Sequence, residues 1–175
     1  MNRPEIAHEI DPEHFRRVMG RFATGVTVIT VAVDGGGAQG MTANAFMSGS
    51  LDPPLCVVSV ARRARMHGHL TAARRFAINI LSADQGDLAN HFAGRKVPGL
   101  EVSFANIDDV PVLSTCAARI VADRDVRHDC GDHSLFVGHI RTMKTTDRSP
   151  LIYHAGHYTA LAEEQGPETP MPEFW

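Results

Sequence analysis

Between Gly40 and Leu55 the chain reads Gly-Met-Thr-Ala-Asn-Ala-Phe-Met-Ser-Gly-Ser-Leu-Asp-Pro-Pro-Leu. The stretch is rich in hydroxyl and amide side chains, poor in charge, and set between two apolar runs. A surface turn rarely needs so many small hydrogen-bonding groups, and a core strand rarely tolerates them. These residue types suit a neutral polar ligand gripped by backbone and short side chains. A second candidate is Gly131-Asp132-His133. Gly131 permits a sharp chain entry, and Asp132 can accept from an imidazole N–H and so fix its tautomer. The same three residues also suit an ordinary turn with a solvent-facing histidine.

Two other patterns suggest chemistry and lose it in context. Gly35, Gly37 and Gly40 satisfy G-x-G-x-x-G, which holds a dinucleotide only where a helix begins and aims its N-terminal N–H groups at the pyrophosphate. Here Met41 to Phe46 and then Gly49 and Pro53-Pro54 make a poor helix, so a hairpin is expected instead. Among ten histidines, His67 and His69 stand two apart and His154 and His157 three apart. Carboxylate or thiolate partners are scarce around them, so exposed or core histidines are favoured over a metal site. Cys56, Cys116 and Cys130 form no C-x-x-C, and Cys56 sits in an apolar run as a small hydrophobe would.

The elements that must position these residues are legible in outline. Asp11-Pro12-Glu13 supplies an N-cap, a proline at the first helical position and a first-turn acid. Phe15, Val18, Met19 and Phe22 follow at helical spacing, with Gly25 as the expected stop. Val26 to Val33 is β-branched almost throughout and predicts a buried strand, turned by Asp34-Gly35-Gly36-Gly37 into the returning strand that carries the polar stretch. Asp52-Pro53-Pro54 ends that stretch and launches another strand, 55–60, in extended geometry. A short helix over about 66–73, a strand over 76–81, and a helix from a Ser82/Gln85 capping box to Phe92 come next. Residues 94–115 read as a long, partly ordered connection. Strands are expected over 117–126 and 134–143, and Leu151-Ile152-Tyr153 and His157-Tyr158-Thr159 flank a turn at Ala155-Gly156. Without regular strand–helix alternation, an antiparallel barrel is favoured over a doubly wound sheet.

The chain has 175 residues, a net charge of -3 and 43% hydrophobic residues, which suits one globular domain and gives no electrostatic case for nucleic acid or membrane binding. Residues 1–10 are expected to be an N-terminal arm, 11–162 the domain, and 163–175 a Pro-rich tail ending in Phe174-Trp175. Met1 to Glu9 has no apolar leader core, so a cytoplasmic protein is expected. The tail is expected either to be disordered or to cross to a partner subunit near the ligand cleft.

Taken in order, Gly40-x-Thr42-Ala43-Asn44-x-Phe46-x-Ser48-x-Ser50-Leu51-Asp52-Pro53-Pro54-Leu55, Phe76-x-Ile78-Asn79-Ile80-Leu81, His91-Phe92-Ala93-Gly94, Pro111-Val112-Leu113 and Gly131-Asp132-His133-x-Leu135-Phe136-Val137-Gly138 resemble the flavin reductase family. The resemblance spans about residues 12–161. It implies a mainly β fold, a Greek-key split β-barrel (the FMN-binding split barrel) with a few short helices. It also implies a homodimer that binds FMN or FAD, and hydride transfer from NADH or NADPH to flavin N5, often to supply a separate monooxygenase component. Carried across, Met41, Thr42, Ala43 and Asn44 would line the isoalloxazine, with Ser48 nearby. Ser59, Val60 and the start of the following helix would face the ribityl phosphate, Phe92 and Ala93 would pack on the flavin side, and His133 would lie by the nicotinamide.

Those roles are chemically sensible. The N1/C2 region of isoalloxazine gains negative charge on reduction, so N–H and O–H donors there favour it. Hydride transfer needs stacking at about 3–3.5 Å rather than a general base, which makes His133 a positioning group. One departure stands out: relatives commonly carry a Ser or Thr pair for the phosphate where this chain has Ala61-Arg62-Arg63-Ala64-Arg65-Met66-His67. Arg65 and His67 are candidates to hold that phosphate with the helix N-terminus, and a solvated basic turn is the alternative. Two other classes remain open at this point: a split-barrel flavin or haem binder without nicotinamide turnover, and a non-catalytic metal or small-molecule barrel.

Overall fold

The structure is a computed structural model, and residues 10–161 are described. Helix α1 (Pro12–Met19) starts as its sequence dictates, with the Asp11 carboxylate accepting from the His14 backbone N–H at 2.7 Å. It stops at Gly20 rather than Gly25, because the Gly20 N–H already closes the last turn on Arg16 O. Its apolar residues are not core: Phe15, Val18, Met19 and Phe22 all lie more than half exposed.

Twelve strands follow in the order β1 (Thr24–Gly25), β2 (Thr27–Val33), β3 (Gly37–Ala43), β4 (Phe46–Ser50), β5 (Leu55–Ala61), β6 (Arg75–Ile80), β7 (Phe104–Ile107), β8 (Val110–Leu113), β9 (Ala118–Cys130), β10 (His133–Thr145), β11 (Ile152–His154) and β12 (His157–Thr159). Helix α2 (Arg65–Ala72) lies between β5 and β6, and α3 (Gly86–Phe92) between β6 and β7. Seven strands form one sheet in the order β3-β2-β6-β9-β10-β5-β4, every pairing antiparallel.

The sheet's two edge strands, β3 and β4, are consecutive in the chain and separated only by Asn44 and Ala45. Ile29 and Val31 of β2, Phe76 and Ile78 of β6, Ala122 of β9, Phe136 of β10, and Cys56, Val58 and Val60 of β5 all meet in one buried cluster. Met41 and Ala43 of β3 and Phe46 of β4 pack against the same cluster. Seven strands reach one core only if the sheet curls on itself, which is the split barrel. Met66 and Leu70 of α2 fill it from one side. Gly138 is required there, because a Cβ would stand 2.6 Å from the Phe76 ring and 2.8 Å from Ala122 Cβ. Burial pushes the Cys56 thiol up to about 11, consistent with its place as an inert core side chain.

β2 is buried on both faces, since Val26 and Val28 feed a second cluster with Leu81, Ala89, Leu113 and Leu151 beneath α3 and the small sheet β1-β11-β12. The G-x-G-x-x-G match is indeed a hairpin, with Gly35 at φ 88° and Gly36 at φ 84° between β2 and β3.

Three local expectations need correction. Residues 94–115 carry the β7–β8 hairpin, whose Val110, Pro111, Val112 and Leu113 are buried. The reason is a side chain distant in sequence. The Asn79 amide donates to Val28 O at 2.9 Å and Thr30 Oγ1 at 3.1 Å, and accepts from Leu113 N–H at 2.8 Å; Thr30 in turn donates to Pro111 O. Second, α3 begins at Gly86, because Ser82 gives its hydroxyl to Asp84 at 2.6 Å and only the Gln85 half of the capping box forms. Third, β9 and β10 run on to Cys130 and from His133, so that Gly131-Asp132 is a tight two-residue turn with Gly131 at φ 59°.

Candidate active site

A cleft of about 450 Å³ opens at the end of β3. Val26 forms part of its wall, with Thr42, Ala43 and Asn44 on one side, Asn90 and Ala93 from the end of α3, then Arg95, and Tyr153, Gly156, His157 and Tyr158 from the β11–β12 hairpin. β3 is a sheet edge, paired with β2 alone, so one row of its backbone N–H and C=O groups faces away from any strand.

The Thr42 hydroxyl donates to Ala89 O at 2.7 Å, which ties α3 to the edge strand. Its proton is therefore committed, and donors toward a ligand here come from backbone N–H groups and the exposed Asn44 amide. The Ala43 carbonyl accepts from Thr27 Oγ1 at 2.7 Å, and the Ala45 carbonyl from Ser59 N–H at 3.0 Å. Phe92 does not line the cleft but packs against Gly40, where a Cβ would come within 2.4 Å of its ring. Burial pushes the Tyr158 phenol up, and the Arg95 guanidinium opposes that shift across the cleft. Among the described residues two buried side-chain polar atoms have no partner, Thr24 Oγ1 and His91 Nδ1. Both sit on the walls' own elements, Thr24 opposite Tyr153 and His91 on α3.

The remaining candidates gather in a different place. Arg62 N–H donates to Asp132 O at 3.0 Å, so the basic segment before α2 is laced to the β9–β10 turn. Arg62 pairs with Asp129 at 3.5 Å, and His133 Nδ1 lies 2.7 Å from Asp132 Oδ1. The hydrogen bond from His133 holds the Asp132 carboxyl below its ordinary range. Arg65 is exposed at the first position of α2, whose N-terminus has no side-chain cap. His67 turns the other way: Nε2 lies 2.9 Å from Ser134 Oγ and its ring edges onto Phe136.

Thr42, Ala43, Asn44 and Ala93 are thus brought together around the cleft. Met41 and Val60 face the barrel core, and Ser48 is exposed on β4 opposite Cys56. Ser59 lies beside Ala45, bridging the two groups along β5. Asn90, Arg95, Tyr153, His157 and Tyr158 were not singled out from sequence as site residues. For Tyr153, His157 and Tyr158 the one signal was the aromatic and histidine pairing around Ala155-Gly156, which pattern alone reads as a hairpin; Asn90 and Arg95 carried none.

A curled antiparallel sheet with an open cleft of mixed lining at its edge strand defines a small split-barrel protein. The family model described as a flavin reductase like domain matches residues 19–162. An NADH-dependent flavin reductase from Rhodococcus sp is 39% identical over 163 residues, covering 90% of this chain and 93% of that protein. The FMN reductase (NADH) SmoA of Agrobacterium fabrum is 40% identical over 152 residues, covering 86% of each. The solved structure of flavin reductase PheA2 superposes with a TM-score of 0.85 at 41% identity, covering 88% of this chain and all of that one. The chain belongs to the flavin reductase family, and it is an oxidoreductase that reduces flavin with a nicotinamide hydride.

Proposed function

We propose that this chain takes a hydride from NADH, passes it to FMN or FAD held in the β3 cleft, and hands reduced flavin to a separate monooxygenase component. The observation that carries the reading is the cleft itself: its volume, mixed lining and free edge-strand backbone fit a flavin. Bound there, a flavin supplies the hydride-accepting ring and the reactivity.

The chain's own residues supply orientation. Backbone N–H groups around Thr42 to Asn44 meet the ring's carbonyl edge, while Tyr153 and Tyr158 exclude water from one wall. Arg95 offers positive charge to an anionic part of the ligand. Asp132 holds His133 by Nδ1, which leaves Nε2 free to position the nicotinamide carboxamide. Ser59, Arg65 and the uncapped N-terminus of α2 are the groups nearest to a phosphate reaching beyond Ala45. The relatives named for NADH support that donor over NADPH.

The same reading includes a homodimer. It is supported by the exposed large apolar side chains Phe15, Val18 and Met19 at helical spacing on α1 and Phe22 just after it. It also includes a reducing, cytoplasmic setting, supported by three unpaired thiols; among the described residues no helix is long and apolar enough to cross a membrane. The division into arm 1–10, domain 11–162 and tail 163–175 belongs to this proposal too. The tail, with Phe174 and Trp175, lies outside the described residues.

Anaerobic mixing with FMN or FAD and then NADH or NADPH tests the proposal. The oxidised flavin band is expected to bleach with NADH. No bleaching with any of the four pairings overturns the reductase reading, and tight flavin binding without bleaching makes the protein a binder.

A further inference from the structure

A second cleft, of about 240 Å³, lies between the start of β9 and the end of β10, and none of its lining residues is shared with the flavin cleft. Its walls carry Arg119, Lys144 and Arg148 together with the hydroxyls of Ser114, Thr115 and Thr146. Strand register sets Arg119 directly opposite Lys144. Like charges at directly opposed positions of an antiparallel pair repel, and among the described residues neither cation has a carboxylate within 4.0 Å. Arg148 meets Asp84 at 3.0 Å, which leaves the cleft an excess of positive charge on a chain whose net charge is -3.

The cleft is held rigidly. Gln85 Nε2 donates to Thr115 O at 2.8 Å, Ser114 N–H to Ser103 O at 3.0 Å, Ala117 N–H to Ile80 O at 2.9 Å, and Thr146 N–H to Ala117 O at 2.9 Å. Thr146 Oγ1 gives its proton to the carbonyls of Cys116 and Ala117. Thr115 Oγ1 only accepts, from Gln85 at 3.4 Å, so its own proton is free for a ligand. Burial raises the Cys116 thiol while the Arg119 and Arg148 guanidiniums pull against that rise, and all three residues line the cleft.

We infer that this cleft binds a phosphate monoester or inorganic phosphate, with Arg119, Lys144 and Arg148 as the cations and Thr115 O–H as a donor. Guanidinium forks match phosphate oxygens bidentately, and a bound dianion relieves the Arg119–Lys144 repulsion. The volume suits a phosphoryl group rather than a flavin ring, so the site serves either free phosphate or the phosphoryl end of a nucleotide.

The full chain is titrated calorimetrically at low ionic strength with inorganic phosphate and with adenosine 5′-monophosphate, and sodium chloride matches ionic strength as the control. Both Arg119→Gln and Lys144→Gln are expected to weaken binding about tenfold or more, as loss of a charge-assisted bond does, with flavin affinity unchanged. In a parallel melting experiment, phosphate is expected to raise the wild-type Tm beyond the chloride control and to leave the double variant unmoved. Tighter binding of the nucleotide identifies a nucleotide-borne phosphoryl group, and tighter binding of phosphate a free anion. Equal weak binding by wild type and double variant, or a response that chloride reproduces, overturns the inference. Retained flavin reduction by the variants shows that they are folded.

Discussion

The β3 cleft and the corner where Arg62 is tied to the β9–β10 turn both border β5, through Ser59 at Ala45 and Arg62 at Asp132, yet they are built on different principles. In the cleft, short side chains and backbone on an edge strand are held by hydrogen bonds to carbonyls, as Thr42 is to Ala89 and Thr27 to Ala43. At the corner, long charged side chains hold one another: Arg62 with Asp129, and His133 with Asp132. A framework made of backbone is preorganised and alters little with pH or salt. One made of exposed charges is screened by salt and worth little to stability. In the function proposed above, that difference becomes a division of roles: the rigid region would hold the flavin and the adjustable one would meet the nicotinamide.

The contrast breaks most sharply at Gly40. Replacing it with alanine drives a Cβ into the Phe92 ring, and the overpacking is expected to cost about 1–3 kcal/mol of stability. Because Phe92 ends the helix that walls the cleft, flavin affinity should fall about two- to tenfold if half of that strain is relieved by moving α3. Denaturant melts and flavin titration measure the two quantities, and a variant as stable and as tight as wild type means the cleft is not rigid.

His133→Ala gives the intermediate effect. Loss of one hydrogen bond to the nicotinamide should raise the KM for NADH about three- to tenfold, while flavin affinity and Tm stay unchanged. Unaltered steady-state kinetics would return His133 to the role of a solvent-facing turn histidine.

The smallest effect belongs to Asp132→Asn. The Asp132 carboxyl is held below its ordinary value in the folded chain, so its contribution is present above the usual carboxylate range and lost as pH falls through that lowered value. The pair is exposed, so thermal melts at pH 7 should shift by no more than about 2 °C, and at pH 3 less still. A large shift at neutral pH would mean that the corner is as rigid a framework as the cleft.

Much of this fold was legible because its signals are local. The β-branched run of β2, the glycine turn before β3 and the Asp11-Pro12 cap each encode their own geometry, and the structure keeps all three. The β7–β8 hairpin was not legible. Pro98, Gly99 and Pro111 read as a loop, and what orders the segment is Asn79, whose amide satisfies the Leu113 N–H. The apolar stripe of α1 also read as core from its spacing, yet Phe15, Val18 and Met19 are exposed.

For the site, the sequence alone singled out Thr42, Ala43 and Asn44 as a polar, uncharged stretch between apolar strands, and these three residues do line the cleft. Only the tertiary structure decided which groups share the cleft with them. Asn90, Arg95, Tyr153 and Tyr158 arrive from α3, the segment just after it and the β11–β12 hairpin, between 46 and 114 residues further along the chain from Asn44. It also decided that His67 turns to Ser134 and that Arg119 faces Lys144 across two strands. A residue's type is written in its codon, whereas its neighbours are set by strand register and sheet closure, which depend on every strand at once.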